Sequence, residues 1–352
     1  MDEAKMMEFV GKAVTDIGAL VNGSLIVIGD KLGLYKAMAG QGPMSSAELA
    51  SKTGHAERYL REWLSAQAAA GYLAYGGRDD GTDRFSLPDE HAIPLTDESS
   101  PACVIGGFQL ALATVQSTEQ LTEAFRTGQG FGWGEHHPEL FEGCERFFGP
   151  SYTSFLTSTW IPAMDGVAAK LEAGARIADV GCGYGASTRL LAAAYPNSTV
   201  VGMDPHTGSL EAARKEAAEA GLGRNLSFEQ GTAQHFTGTY DLVCFFDALH
   251  DMGDPAGACR NVVNQLAPGG ALLIVEPNAG DRVEDNLHPV GAAYYAFSTL
   301  LCTPNSLSQE VGTALGAQAG EARLREVITG AGFSSLRRVA ETPFNIVLEA
   351  RP

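Results

Sequence analysis

Residues 179–186 read Asp-Val-Gly-Cys-Gly-Tyr-Gly-Ala, after an apolar run and before an Ala-rich one. Glycines at such a turn let the backbone approach a ligand without a clash with Cβ, and the helix that follows offers free N–H groups to a carboxylate or phosphate. Asp204 ends the next apolar run, 25 residues beyond Asp179. There a carboxylate can accept hydrogen bonds from both hydroxyls of a ribose. The spacing predicts the nucleoside-binding half of a parallel sheet.

The same stretch also fits the Gly-x-Gly-x-x-Gly/Ala pattern of dinucleotide sites, so an NAD-dependent oxidoreductase is an alternative. Two features favour a different ligand. The carboxylate of Asp179, two residues before Gly181, would repel a pyrophosphate but suits a ligand with an ammonium group. The hairpin predicted around Pro343 does not belong to a standard dinucleotide fold.

Beyond residue 176 the chain alternates strand-like runs with Ala-rich helical segments, which predicts a parallel sheet covered by helices on both faces. The final stretch, LRRVAETPFNIVLEARP, has two β-rich runs with no room for a helix between them, which predicts an antiparallel hairpin at the sheet edge. The expected fold class is therefore α/β, a seven-stranded Rossmann-like sheet that ends in an antiparallel hairpin.

The N-terminal part has a different pattern. A helix is expected to begin at Ser45 or Ser46 and end at Gly54, and a second one ends at Gly71. Residues 73–87 then alternate around a Gly- and Asp-rich centre, typical of two strands and a tight turn. Helix, turn, helix and β-ribbon together predict a winged helix.

Three domains are predicted on this basis: a winged-helix dimerisation domain at 1–100, a helical connector and substrate lid at 101–175, and the sheet domain at 176–352. Residues 128–134 hold four glycines with aromatic residues, which suits either a mobile lid or a plain surface loop. The apolar, Gly-spaced helix over 14–34 suits close packing between two protomers.

Charge and cysteine spacing exclude several classes of protein. The 352 residues include 24 Lys and Arg against 42 Asp and Glu, a formal net charge of −18. This balance argues against nucleic acid as a partner, since that binding depends on clustered Lys and Arg. The six cysteines form no Cys-x-x-Cys pair, and their spacing fits neither a disulfide framework nor a zinc finger. We expect no signal peptide, no transmembrane helix and a cytoplasmic location with reduced thiols.

DVGCGYGAST followed by VVGMDPH resembles the class I S-adenosylmethionine-dependent methyltransferases. The winged-helix front end is similar to that of the small-molecule O-methyltransferases that dimerise through this domain. An actinobacterial branch is a closer match, through FDALHDMGDP, IVEPNAGD, CTPNSLSQEVG and ALGAQAGEARL. The resemblance covers nearly the whole chain and implies a homodimer that methylates a hydroxyl or carboxylate oxygen of a small, mostly apolar acceptor.

The resemblance also implies roles for single residues. His250 matches the general base of the O-methyltransferases, Glu276 an acid that orients it, and Asp251 a neighbouring catalytic acid. Acceptor contacts are expected from Trp133, Tyr152, Phe155 and Tyr295. S-adenosylmethionine is expected to contact Asp179, Gly181, Gly183, Gly185, Asp204, Pro205, His206, Thr232, Ala233, Gln234, Phe246 and Asp247.

This chain departs from the family pattern at two positions. Thr232 stands where the family often has Asp, and Met252 replaces the usual tryptophan of the acceptor motif.

Several alternatives stay open. His206 could line the cofactor or cap the following helix. His288 could join His250 and Asp251 in a metal site, as in relatives that methylate carbon next to a ketone, although we expect no metal. A non-catalytic regulator that senses S-adenosylmethionine is a further alternative, which the winged helix favours and the acidic surface opposes.

Overall fold

The computed structural model describes residues 1–352. The chain divides into two compact units, Met1–Leu112 and Ala113–Pro352. The first unit begins with the long helix α1, and α6 runs across the boundary. Its elements are α1 (Glu3–Lys31), α2 (Leu34–Met38), α3 (Ser46–Thr53), α4 (Glu57–Ala69), β1 (Ala74–Asp79), β2 (Thr82–Ser86), α5 (Asp89–Thr96) and α6 (Ile105–Val115).

The helix–turn–helix and ribbon of the first unit have the expected local signals. Ser45 caps α3 and forms a reciprocal capping box with Glu48, and Gly54 ends the helix in the left-handed conformation at φ +73°. Strands β1 and β2 pair antiparallel, with Asp79 opposite Thr82 beside the turn. The prediction of a winged helix is confirmed.

A buried aromatic cluster holds these helices together. Trp63 on α4 donates its indole N–H to the carbonyl of Leu25 on α1 at 2.8 Å. A Cβ added at Gly29 would lie 2.6 Å from the Trp63 ring, so only glycine lets α1 approach α4 here. Tyr35 donates its hydroxyl to Gln67, which in turn donates to Asn22. The core of this unit therefore contains satisfied polar groups as well as apolar packing.

Helix α1 bears on the expectation that the chain has no transmembrane helix. Its length and an 18-residue window of hydropathy 1.3 make it long and apolar enough to cross a membrane. Gly11, Gly18 and Gly23 lie inside this helix without ending it, since glycine weakens a helix by only about 1 kcal/mol per residue. One such helix near the N-terminus is weak evidence for a membrane span, because core helices and signal sequences share these properties.

The second unit contains the large sheet, and helices precede, alternate with and follow its strands along the chain. Its helices are α7 (Thr118–Thr127), α8 (Glu139–Phe155), α9 (Val167–Ala173), α10 (Ala186–Ala194), α11 (Thr207–Glu219), α12 (Pro255–Gln265), α13 (Pro289–Phe297), α14 (Thr303–Leu307) and α15 (Gly320–Gly330). Its strands are β3 (Arg176–Val180), β4 (Thr199–Asp204), β5 (Leu226–Gln230), β6 (Tyr240–Phe246), β7 (Leu266–Pro277), β8 (Ser335–Glu341) and β9 (Asn345–Arg351).

The seven strands lie in the order β5-β4-β3-β6-β7-β9-β8. The first five are parallel, whereas β9 pairs antiparallel with β7 and with β8. The last strand of the chain therefore lies inside the sheet, between β7 and β8. The predicted seven-stranded sheet with a terminal antiparallel hairpin is confirmed.

Alternate residues of each strand enter two separate cores. Ile177 and Leu273 belong to a cluster that includes Trp160, whereas Ala178 and Leu272 belong to a cluster that includes helix α15. This alternation, with both faces apolar, explains why the strands read as continuous apolar runs.

Because parallel strands share their direction, β3, β4, β6 and β7 all end at one edge of the sheet. The strand order reverses between β3 and β6, the place where open α/β sheets form a crevice for ligands. Asp179, Asp204, Asp247 and Glu276 lie at or next to these four strand ends. The topology thus gathers distant acidic residues at a single edge.

Candidate functional site

The turn after β3, residues 181–185, is called the Gly181 loop below. Gly181 has φ +78°, and a Cβ there would lie 2.8 Å from that of Ala248, so glycine is needed both for the backbone conformation and for the close approach. Gly183 has φ +52°, and a Cβ there would project into open space. The loop therefore presents bare backbone to a space that a ligand can fill.

Two carboxylates border this loop. Asp204 accepts hydrogen bonds from the backbone N–H of Gly183 at 2.9 Å and of His206 at 2.8 Å, so its position is fixed. Asp179 accepts from the hydroxyls of Ser187 and Thr188, both at 2.6 Å, through a single oxygen. Its other oxygen, Oδ1, is buried without a hydrogen-bond partner. Burial raises the pKa of Asp179 to about 6, since the hydroxyl hydrogen bonds only partly offset the loss of water.

Arg189 on α10 supports the loop from behind. It donates to the carbonyl of Tyr184 at 2.7 Å and lies 2.7 Å from a carboxylate oxygen of both Glu145 and Glu216. Burial is the main reason that the pKa of Glu145 rises to about 7, and the charge of Glu216 acts in the same direction. Sequence reasoning missed this three-residue network.

The other residues expected at the cofactor lie near the same edge, but several are engaged in local contacts. Thr232 lies 3.0 Å from His235 through its hydroxyl, and Gln234 donates to the carbonyl of Asp254 at 3.2 Å. Ala233 is buried, and Phe246 packs its ring 5.3 Å from that of Tyr152.

His250 lies in a single 3-10 turn after β6, and its ring is buried. Glu276, at the end of β7, contacts His250 Nδ1 through Oε2 at 2.5 Å. Its other oxygen accepts from the backbone N–H of Leu249 at 3.0 Å and of His250 at 3.4 Å. The carboxylate therefore fixes both the turn and the orientation of the ring, and we expect Nδ1 to carry the proton in this contact.

The second ring nitrogen faces a different group. His250 Nε2 lies 3.3 Å from Asp251 Oδ1. The two atoms are not aligned for a hydrogen bond, and Asp251 Oδ1 has no hydrogen-bond partner. The thiol of Cys302 lies within 4.8 Å of both. We call His250, Asp251, Glu276 and Cys302 the His250 cluster. Burial alone would lower the pKa of His250, but Glu276 and Asp251 raise it well above 6.5, so both carboxylates favour the imidazolium form of the ring.

Asp247 lies beside this cluster in a left-handed backbone conformation, with φ +47°. Tyr152 donates its hydroxyl to one carboxylate oxygen at 2.7 Å, and Asn345 on β9 donates to the other at 2.8 Å. Burial raises the pKa of Asp247 to about 7, and the negative charge of Glu276 adds to the effect. Residues from three distant parts of the chain thus meet at this carboxylate.

The four aromatic residues expected at an acceptor do not form one wall. Only Tyr152 takes part in the hydrogen bonds around Asp247. Phe155 stacks on Trp160 with ring centroids 6.2 Å apart, and Tyr295 is half-buried on α13.

The ring of Trp133 lies on the other side of the site. It packs 5.9 Å from Phe141, which packs 4.8 Å from His206. The glycine-rich segment 128–134 is therefore next to the Gly181 loop. Trp133 also donates its backbone N–H to Asn305 at 3.1 Å.

Two histidines have capping roles. His206 accepts from the backbone N–H of Ser209 at 3.2 Å and caps α11, while its Pro205 neighbour makes the turn. His288 caps α13 in the same way, by accepting from Gly291. The group with metal-binding geometry contains Cys302 in place of His288, which corrects the metal set considered from the sequence.

Comparison with known families agrees with this geometry. Residues 171–319 match the family described as "Methyltransferase domain", a range that includes both the Gly181 loop and the His250 cluster. Residues 21–97 match the "Rv2258c-like winged HTH domain". The chain therefore contains a class I S-adenosylmethionine-dependent methyltransferase domain, preceded by a winged-helix domain.

Individual relatives of this methyltransferase differ in how much they share with it. The trans-aconitate 2-methyltransferase of Deinococcus radiodurans is 31% identical over 166 residues, 46% of this chain and 56% of the relative. This chain thus spans about half the length of the curated relatives it matches.

Solved structures match over the full length. The structure of mitomycin 7-O-methyltransferase has a TM-score of 0.68 at 20% identity and covers 99% of this chain and 100% of its own. Human N-acetylserotonin methyltransferase, solved with S-adenosylmethionine, has a TM-score of 0.67 at 17% identity and covers 100% and 98%. At these identities the likeness shows the fold.

The residues present fit the cofactor of this methyltransferase family. The open space over Gly183 admits a ligand against the backbone, and the unpartnered Asp179 Oδ1 suits an ammonium group. Asp204 keeps lone pairs for hydroxyl donors after its two backbone hydrogen bonds.

The structure also shows residues that the sequence analysis did not single out. Cys302 begins the CTPNSLS segment of the family resemblance, so the sequence marks this residue but does not indicate its role. Asn345 and Glu145 belong to no local motif, and their contacts to Asp247 and Arg189 come from tertiary structure alone.

Proposed function

We propose that this protein transfers a methyl group from S-adenosylmethionine to an oxygen of a small, mostly apolar acceptor. The observation that carries the proposal is that the Gly181 loop and the paired His250 and Glu276 lie at the carboxyl ends of parallel strands, at one edge of the sheet. The cofactor supplies an electrophilic methyl group on a sulfonium. The protein's own residues hold the reactants and accept a proton.

The Gly181 loop and the two carboxylates that border it would hold the cofactor. Asp204 is positioned for the ribose hydroxyls, and Asp179 for the ammonium group of the methionine part. Two reactants held in a near-attack geometry avoid much of the entropic cost of their encounter. The apolar rings of Phe246 and Tyr152 exclude water beside Asp247.

His250 would accept the acceptor's proton at Nε2, because Nδ1 is held by Glu276. This requires the unprotonated ring, which the two neighbouring carboxylates disfavour in the free protein. The same carboxylates stabilise the imidazolium that forms during transfer, so their charge acts in favour of the transition state.

A hydroxyl acceptor fits this site better than a carboxylate. The Deinococcus relative is named for trans-aconitate, a polyanion. Here Asp247, Asp251 and Glu276 are clustered. The positive charge near all three carboxylates comes from His250. Adding a carboxylate beside buried Glu276 and the half-buried Asp247 and Asp251 is unfavourable, since like charges repel more strongly as the dielectric falls.

The first test is isothermal titration calorimetry with S-adenosylhomocysteine. We expect saturable binding at one site per chain, and much weaker binding to Asp204→Ala. Absence of binding to the wild-type protein would remove the proposal. Absorbance at the nicotinamide band, with candidate alcohols and NAD, tests the oxidoreductase alternative in parallel.

We also infer a homodimer formed through α1. Val10, Val14, Ile17 and Val21 recur at helical spacing and are exposed, with 62–63% of Ile17, Val14 and Val21 accessible. Sedimentation should show a dimer that Ile17→Glu dissociates, whereas Thr15→Glu on the same helix serves as the control. A monomer that instead binds lipid vesicles through this face would contradict the dimer.

We further infer that the protein acts in the cytoplasm and does not bind nucleic acid. All six cysteines are free, and five are buried. In the winged helix, Arg58 and Arg61 pair with Glu62 and Glu57, which removes positive charge from the helix that would meet DNA. A salt-sensitive shift of a DNA probe would contradict this inference.

A further inference from the structure

The His250 cluster contains a donor that the proposed methyl transfer does not use. Cys302 is buried and ends a π-helical turn, Ser298–Cys302, between α13 and α14. Its Sγ, a ring nitrogen of His250 and a carboxylate oxygen of Asp251 all lie within 4.8 Å of one another. Single π-helical turns inside helices frequently occur at functional sites.

The hydrogen bonds of this group are incomplete in a way that suits a cation. Asp251 Oδ1 is buried without a hydrogen-bond partner, and it lies 3.3 Å from His250 Nε2. Glu276 occupies Nδ1, so the free lone pair of a neutral ring would be on Nε2. Three donor atoms, one each of nitrogen, oxygen and sulfur, therefore lie close enough together to be considered as ligands of one ion.

This donor set identifies the class of cation. Imidazole and thiolate bind zinc strongly, whereas magnesium and calcium prefer oxygen ligands alone. Zinc-binding histidines usually donate their other ring N–H to a carboxylate or a carbonyl, which is the role that Glu276 has toward His250. The 3.3 Å between His250 Nε2 and Asp251 Oδ1 is compatible with bonds of about 2.0–2.2 Å to one tetrahedral ion, and Cys302 Sγ lies within 4.8 Å of the other two donor atoms.

We propose that His250 Nε2, an Asp251 carboxylate oxygen and Cys302 Sγ bind one zinc ion, with Glu276 as the partner that orients His250. Three protein ligands leave a fourth position of the tetrahedron for water or an oxygen of the acceptor, typical of catalytic rather than structural zinc. Binding releases the thiol proton of Cys302 and any proton on His250 Nε2.

This inference rests on the proposed function at one point only, the assignment of the fourth ligand to an oxygen of the methyl acceptor. Zinc and a proton compete for His250 Nε2, so the zinc-bound form cannot use His250 as the base. In that form the ion itself would polarise an acceptor oxygen.

The decisive measurement is cobalt substitution of protein treated with a chelator, after circular dichroism has shown that the treated protein is folded. Titration with Co²⁺ should give saturation at one equivalent, with the intense near-ultraviolet band of a cobalt–thiolate bond. Zn²⁺ should displace the cobalt and abolish the band. A wild-type protein that shows no saturable band with cobalt overturns the proposal.

Variants then identify the ligands. Cys302→Ser should abolish the thiolate band, whereas Cys103→Ser, at another buried cysteine, should leave it unchanged. Glu276→Gln should keep the band but weaken metal binding about 10–100-fold. A band that persists in Cys302→Ser overturns the assignment. Calorimetry with S-adenosylhomocysteine is independent of these readouts, so failure of the zinc site and failure of the methyltransferase proposal can be told apart.

Discussion

The two sides of the site are built in opposite ways. The Gly181 loop consists of backbone in conformations that glycine permits, and the side chains that hydrogen-bond to it directly, Asp204 and Arg189, come from the next strand and the following helix. The His250 cluster consists of titratable side chains brought together from residues 250, 251, 276 and 302, with Asp247, Tyr152 and Asn345 beside it. The Gly181 loop suits binding of the cofactor. The His250 cluster suits stabilisation of the charges that develop during methyl transfer.

The largest effect is expected for His250→Ala. Loss of a general base or of a metal ligand should lower turnover about 10²–10⁴-fold, since that is the usual contribution of a positioned proton acceptor. Affinity for S-adenosylhomocysteine should stay unchanged in calorimetry. If turnover and affinity fell together, cofactor binding would depend on the His250 cluster as well as on the Gly181 loop.

Asp179→Asn should have the opposite profile. The variant keeps the size of the side chain but removes its charge, so binding of a ligand ammonium group should weaken by about 1.5–3 kcal/mol, or roughly 10–100-fold. Calorimetry with S-adenosylhomocysteine measures the effect. Ser187→Ala is a matched control, because it removes a hydrogen bond to the carboxylate and keeps the charge. Equal losses in both variants would show that the charge is unimportant.

Gly183→Ala tests whether the Gly181 loop binds the cofactor through its exposed backbone. A residue with Cβ at φ +52° costs about 1–2 kcal/mol, and its methyl group would enter the space expected for the cofactor. Gly128→Ala has a comparable conformation, φ +74°, with open space around it, so it should lose similar stability. Only Gly183→Ala should also lose cofactor affinity, and equal affinities would show that the space over Gly183 is not used.

A smaller effect is expected from Glu145, which supports the loop through Arg189. Its pKa in the folded protein, about 7, exceeds the ordinary 4.5, mainly because of burial. Its contribution to stability is therefore present below pH 4.5 and is lost as the pH rises to about 7. Denaturant unfolding should show this loss, on the order of 1 kcal/mol, in the wild type and not in Glu145→Gln. Identical pH dependence in both proteins would contradict it.

The same contrast explains what could be predicted from the sequence. Strands, the winged helix and the Gly181 loop depend on local periodicity, turns and capping, and Ser45, Gly54 and Gly181 show those signals directly. The partnership of His250 with Glu276 came from the family resemblance. Cys302 and Asn345 could not be placed, because their contacts depend on a π-helical turn and on strand register, which no local pattern encodes.

The position of β9 has a consequence for how the protein is made. Its seven residues are made after β8, yet they lie between β7 and β8 and supply Asn345 to Asp247. A nascent chain that has emerged only as far as β8 already contains every residue of the Gly181 loop, but Asp247 gains its Asn345 partner only once β9 has been made and inserted between the two earlier strands. The two sides of the site are therefore completed at different stages of synthesis.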